Sequence, residues 1–312
     1  AKRILAEMSN VLFDLGEISG ETIFIDGTKI EAAANKYTFV WKKAVTKNQT
    51  KLLIKLADFV AECEQLYDLK IVYGDAVKMK HVKKLRKRLY ALKQNENVVF
   101  VHGIGKRKTP LQKSIEKLED YLSRLKKYNR EIHICAERNS YSKTDHDATF
   151  MRMKEDAMGN GQLKPAYNLQ HGVDSEYITW LTIGSQPTDT TTLIPFLKDA
   201  EEHLKFKYKN ITADAGYESE ENYLFLESNG QLSYIKPANY EISKTRKYKN
   251  DIGKVENMEY DSESDSYTCR NSKKLTADHI RHSKSKTGYV SEKTIYKCED
   301  CSGCPYKSDC IK

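Results

Sequence analysis

Three stretches with apolar residues at alternating steps of four and three fill the region from about Lys43 to Ile134. They are Leu52, Leu56, Phe59, Cys63 and Leu66, then Val82, Leu85, Leu89 and Leu92, then Leu111, Ile115, Leu118, Leu122 and Leu125. That spacing gathers each set on one narrow face of an α-helix. "HGIGKRKTP", with two glycines and a proline, separates the second helix from the third. The block therefore reads as a helical hairpin or small bundle, and its seams read as packing. What flanks it has a different period. Residues 21–32 alternate as a strand, with Ile23 and Ile25 facing one way and Phe24 and Asp26 the other. From Pro165 the β pattern returns as "PAYNLQHGVD" and "EYITWLTIGS", a hairpin, followed by a helix in "TDTTTLIPFLKDAEEHLKF" with Asp or Thr available as its N-cap. A strand and an Asp214–Gly216 turn come next, then a helix from about Ser219 to Asn229-Gly230 and a last strand in "QLSYIKPANY". The order predicts an α/β fold: a mixed sheet with flanking helices and a long helical insertion after its first strand.

Four segments follow from this pass: a first core segment over 1–42, the helical insertion over 43–136, the rest of the core over 137–243, and a Cys-rich insertion over 244–312. A chain of 312 residues can bury a real core. No run approaches the roughly 18 apolar residues of a membrane span, and no signal peptide is evident, so a cytoplasmic protein without a membrane partner is expected. Lys and Arg outnumber Asp and Glu by 52 to 44, for a net +8, a balance that favours acidic partners such as nucleic acid. "KMKHVKKLRKRLYALK" concentrates that charge in Lys83, Lys84, Arg86, Lys87 and Arg88, among others, with no acid between them. A solvated face and a row of phosphate contacts are both open readings. Lys29 and Lys236, near strand ends, divide in the same way between surface lysines and phosphate contacts.

Two aspartates share one setting. Asp26 and Asp214 each follow an apolar β-run and precede a glycine, at one and two residues respectively. Taken alone, Asp26-Gly27 is a hairpin signal, since both residues tolerate φ > 0. Taken together, the two carboxylates fall where strands of one sheet end, the place where ligands gather in α/β sheets, and hard cations such as Mg²⁺ or Mn²⁺ prefer such oxygens.

The segments "FIDGTKIEAAANKYTFVWKK", "TDHDATFMRMKED", "GQLKPAYNLQHGVD" and "ITADAGYESEENY" resemble the core of bacterial insertion-sequence DDE transposases. The resemblance implies an RNase H-like fold and DNA transposition: a 3′ end is freed by hydrolysis and then attacks target DNA, both steps on two divalent ions. It implies Asp26 and Asp214 as the first two catalytic acids. It also implies element terminal repeats and target DNA as partners, a homodimer in the full-length form, and a place at the bacterial nucleoid. The family's third acid is a helical glutamate, set in a Tyr-Arg-Glu-Lys type signature in many relatives. Tyr267 and Arg270 have the first spacing, but Lys274 stands where the glutamate would fall. The expectation is a core truncated at both ends that does not complete catalysis alone. A non-catalytic DNA-binding or interaction protein derived from a transposase is the alternative, and a nuclease that cleaves without joining is a third.

Five cysteines mark the last segment: Cys269, then Cys298, Cys301, Cys304 and Cys310 in "YKCEDCSGCPYKSDC". Two C-x-x-C steps with a further cysteine six residues on suit a metal, because short loops let several thiolates converge. Structural Zn²⁺ comes first, an iron–sulfur cluster second, and reduced free thiols remain open because five cysteines overfill a four-ligand site. The resemblance agrees, since related transposases carry a cysteine-bearing insertion after the last core strand.

Overall fold

The computed structural model describes residues 2–74, 76–154, 159 and 161–311. The last two residues of "TDHDATFMRMKED", Glu155 and Asp156, lie outside them. Its elements begin with α1 (Lys2–Asp14), β1 (Thr22–Glu31), β2 (Phe39–Trp41), α2 (Lys42–Tyr67), α3 (Met79–Asn95) and α4 (Pro110–Cys135). Then come β3 (Ser140–Ser142), β4 (Thr149–Arg152), β5 (Leu163–Asp174), β6 (Tyr177–Gly184), α5 (Leu193–His203), β7 (Asn210–Ala213), α6 (Glu220–Ser228) and β8 (Leu232–Ile235). The chain closes with α7 (Tyr240–Ser243), α8 (Arg246–Lys249), β9 (Glu259–Asp261), β10 (Ser266–Thr268), β11 (Lys274–Lys284), β12 (Val290–Cys298) and α9 (Lys307–Cys310). Single 3₁₀ turns cover Asp189–Thr191, Ala215–Tyr217 and Val255–Asn257. The chain divides into two compact units, residues 1–28 with 169–312, and residues 29–168, so that β1 and β5 each run from one unit into the other.

In the first unit the strands lie in the order β5-β1-β7-β8, with β6 paired to β5. β1 and β7 are parallel, in register from Thr22↔Asn210 to Ile25↔Ala213, and β7 and β8 are parallel from Asn210↔Leu232 to Ala213↔Ile235. Alternation decides the faces. Ile23, Ile25, Ile211 and Ala213 are buried with Leu193, Phe196, Leu197 and Ala200 of α5, whose i, i+3, i+4, i+7 spacing makes one apolar stripe. Phe24, one residue out of phase, is exposed. The helix α1 packs on β6, where the Ser9 hydroxyl donates to the Thr179 carbonyl at 2.7 Å. This is the mixed α/β arrangement of an RNase H-like core.

The last part of this unit is built differently. Strands β12-β11-β10-β9 form an antiparallel sheet with a bulge between Ala277 and His279. Tyr267 packs between Tyr260 and Tyr296, with ring centroids 4.7 and 4.8 Å away, and both of those outer hydroxyls donate to the Asp265 carboxylate. At the hairpin tip, Tyr289 and Thr287 donate to Glu220 and Glu221 of α6. From residue 244 to 311 only Ser266 is buried.

In the second unit α2, α3 and α4 share one core, which contains every seam residue predicted above except Leu66. Leu66 is 59% exposed. A straight helix drifts by about 20° per heptad from a strict seven-residue repeat. After Cys63, which is buried, the seam steps by four to Tyr67, which packs against the core. The break before α4 is pinned by Gln112, which is buried and exchanges two hydrogen bonds with the Val101 backbone, while Thr109 caps the helix and Pro110 opens it. Strands β2 and β3 pair in this unit, and β4 pairs antiparallel with the start of β5, Thr149↔Ala166 to Arg152↔Leu163.

Candidate active site

The strand β1 does not turn at Asp26-Gly27; it continues to Glu31. The hairpin reading of that dipeptide is therefore wrong: β1 lies between β5 and β7 in the sheet and runs on through Asp26-Gly27, past the end of β7 at Ala213. Register then places the two aspartates. Ile25 pairs with Ala213, so Asp26 and Asp214 are the next residues along adjacent parallel strands, and both carboxylates act on the buried Tyr217 phenol. Both are exposed. One Asp26 oxygen accepts the Gly27 N–H at 2.8 Å, and one Asp214 oxygen accepts the Gly216 N–H at 2.8 Å, which starts the 3₁₀ turn. Among the described residues, no lysine or arginine forms an ion pair with either carboxylate.

A third carboxylate, Asp189, acts on the same Tyr217 phenol, although the oxygens of the three acids do not all lie within 4.8 Å of one another. The Asp189 side chain, at the head of the turn that leads into α5, accepts from Gln170 Nε2 at 3.0 Å. The other end of that amide, Gln170 Oε1, accepts from the Tyr217 hydroxyl in a short hydrogen bond. Two glycines make room for this carboxylate. A Cβ at Gly27 would stand 2.7 Å from Gln170 Nε2 and 2.8 Å from Asp189 Oδ1, and one at Gly216 would stand 3.6 Å from Asp189 Oδ2. Tyr217 registers the combined charge. Burial pushes its phenol upward, and the carboxylates of Asp189, Asp26 and Asp214 push it further. It thus remains a neutral donor behind three acids. Asn222 ties the frame together, donating from one amide nitrogen to the Thr190 and Tyr217 carbonyls at 3.0 and 2.7 Å.

The sequence reading missed Asp189, which it treated as a helix cap, and it missed Gln170 at the end of "GQLKPAYNLQ". Nothing in their local spacing marks them. The one available signal was the pair of glycines beside the two aspartates, which mark a close approach.

The remaining sites are dispersed. Lys29 Nζ donates to the Arg152 carbonyl at 2.9 Å in the second unit. Lys236 pairs with Glu241 at 2.7 Å. On α3, Lys83, Lys84, Arg86, Lys87 and Arg88 are all exposed, but Arg86 is already paired with Glu119 of α4. Lys83, Arg86 and Lys87 line a surface cavity of about 570 Å³ together with Lys126. Burial first, and then Lys80, Lys78 and Lys84, hold the His81 imidazole below its usual range. Among the described residues one set of three donors lies within 4.8 Å, Asp199, Glu202 and His203 on α5. Asp199 there is saturated by Lys2 at 2.7 Å and by the Trp180 indole N–H at 3.1 Å, so this set is an ion-pair network joining α1, β6 and α5.

A mixed sheet in which parallel β1 and β7 carry Asp26 and Asp214 at successive positions is the arrangement of an RNase H-like protein. The chain matches the family described as transposase DDE domain over residues 138–298, just over half of its length, and it belongs to that family. Asp214 lies inside the matched region and Asp26 before it, so Asp26 stands on its register with β7. No curated protein and no solved structure matches the chain. No described helix is long and apolar enough to cross a membrane.

Proposed function

We propose that this chain is the part of a transposase that binds element-end DNA and holds divalent cations for phosphodiester cleavage and strand transfer, with Asp26 and Asp214 as the cation ligands. The supporting observation is the parallel register Ile25↔Ala213, after which Asp26 and Asp214 are the next residues on the two strands, both acting on the Tyr217 phenol. The donor set fits Mg²⁺ or Mn²⁺: hard oxygens, exposed, with backbone N–H groups fixing one oxygen of each and, among the described residues, no lysine or arginine paired with them. When bound, two such ions would activate the attacking oxygen and stabilise the leaving one. The chain's own residues supply position. Gln170 spans Asp189 and Tyr217, the Tyr217 phenol stays protonated, and Asp189 adds a third negative charge that raises cation affinity. The exposed cations of α3, together with Lys29 and Lys236, contact DNA phosphates.

Lys274 stands where the family's Tyr-Arg-Glu-Lys signature, begun here by Tyr267 and Arg270, would put its glutamate, so the polypeptide alone is proposed to bind DNA and cation without turnover. The test uses DNA carrying the element ends, with Mg²⁺ or Mn²⁺, and the protein in its full-length form. Asp26→Asn and Asp214→Asn should each abolish cleavage while leaving DNA binding intact, and Asp189→Asn should weaken Mn²⁺ binding. Undiminished cleavage by either of the first two variants removes the assignment. Turnover by residues 1–312 would place the third acid inside them.

A further inference from the structure

Residues 244–311 bury only Ser266, yet they hold a four-stranded sheet and a folded loop of short turns. A module of that size without an apolar core needs another source of stability, and a structural metal is a common one. The five cysteines are all free thiols, each partly exposed, and all five line one cavity of about 510 Å³. Separate elements bring them there. Cys269 opens the turn after β10, Cys298 ends β12, Cys301 and Cys304 lie in the following turns, and Cys310 ends α9. Lys273 clamps the two sides together, since its Nζ reaches the Asp300 carbonyl at 2.7 Å and the Asp300 carboxylate at 3.3 Å.

The thiols are not equivalent. Cys310 lies within electrostatic reach of Cys269, Cys301 and Cys304. Cys298 lies beside Cys269, is hydrogen-bonded to Cys301 and also donates from Sγ to the Asp300 carbonyl at 3.7 Å, but it is not among the thiols that act on Cys310. The sulfurs ring the cavity more loosely than a closed tetrahedron, as no three of them fall within 4.8 Å of one another. Bond lengths of about 2.3 Å would draw them inward, and the short turns of this exposed loop allow it.

We propose that Cys269, Cys301, Cys304 and Cys310 form a tetrahedral structural zinc site that staples the C-terminal sheet to the loop after β12, with Cys298 outside the ligand set. Four thiolates and no open position make the site structural. The two cysteines of the helical unit, Cys63 and Cys135, are buried and take no part. Because it draws on none of the three aspartates, the site stands or falls separately from the proposed cleavage chemistry.

The test is metal analysis of the 312-residue chain purified without oxygen, together with Co²⁺ substitution read by thiolate-to-metal absorption. Wild type and Cys298→Ser should each hold one zinc per chain and give the tetrahedral cobalt spectrum. Cys269→Ser, Cys301→Ser, Cys304→Ser and Cys310→Ser should each lose zinc, with far-UV circular dichroism showing that the α2–α4 helices persist. Cys63→Ala should keep it. Iron with visible absorption in place of zinc, wild-type protein without metal and with five titratable surface thiols, or loss of zinc in Cys298→Ser would each overturn the proposal.

Discussion

Gly27 shows how one missing side chain organises this site. It sits where Gln170 Nε2 and Asp189 Oδ1 both come closer than a Cβ permits. Both intruding atoms are ends of flexible side chains, so Gly27→Ala should displace them and cost the fold only about 1 kcal/mol. The larger effect should be on the carboxylates. Calorimetric titration with Mn²⁺ is expected to show weakened binding beside a nearly unchanged melting midpoint, and unchanged affinity would mean that Asp189 does not share the cation site. At this scale the sequence exposed Asp26 and Asp214 because each directly follows a β-run, whereas a loop separates Asp189 from the end of β6 at Gly184. It reaches the site through the turn that precedes α5.

At the level of elements, the contrast is between a helix that carries its own signal and a junction that does not. The seams of α2, α3 and α4 were legible because helical periodicity is written in neighbouring residues; Leu66 failed only where the repeat drifted. The basic face of α3 is equally local. Replacing Lys83, Lys84, Lys87 and Arg88 by alanine should lower the slope of log affinity against log salt by about 0.9 for each duplex phosphate that is no longer neutralised. A slope equal to wild type in a filter-binding or anisotropy series would return these residues to a merely solvated face. The junction of α6 with the turns at residues 189–191 and 215–217 depends instead on Asn222, which is buried and satisfies two carbonyls. Asn222→Ala should cost about 1–3 kcal/mol for each carbonyl left without a donor. Chemical denaturation measures it, and a change near zero would show that the junction is held by other contacts.

For the molecule as a whole, two buried tyrosines set its behaviour in alkali. Burial pushes the Tyr208 and Tyr217 phenols up from the ordinary value of 10.0, and the three acids add to the effect at Tyr217. A raised folded-state value means that the unfolded chain loses these protons first. The contribution to stability is therefore fully present below about pH 10 and is lost as the pH rises above it. Thermal midpoints should fall from about pH 10 upward, with part of the phenolate absorbance appearing only on unfolding. Full titration of all twenty tyrosines in the folded protein at about pH 11 would contradict this. Removing zinc, by contrast, should act on residues 244–311 and leave the helical core standing.

From sequence alone came the periods: strands on either side of an α-helical insertion, a cysteine-rich end, two aspartates in matching settings and the family likeness they carry. These are short-range properties, fixed by which side chains repeat every two or every three and a half residues. Tertiary structure alone decided that β1 runs straight through Asp26-Gly27, that β1 lies against β7 in the register that pairs the two acids, and that Asp189, Gln170 and Tyr217 close behind them. Strand pairing across almost two hundred residues is chosen by burial of one face of the sheet against α5 and by hydrogen bonds between distant backbones, and no local spacing records that choice.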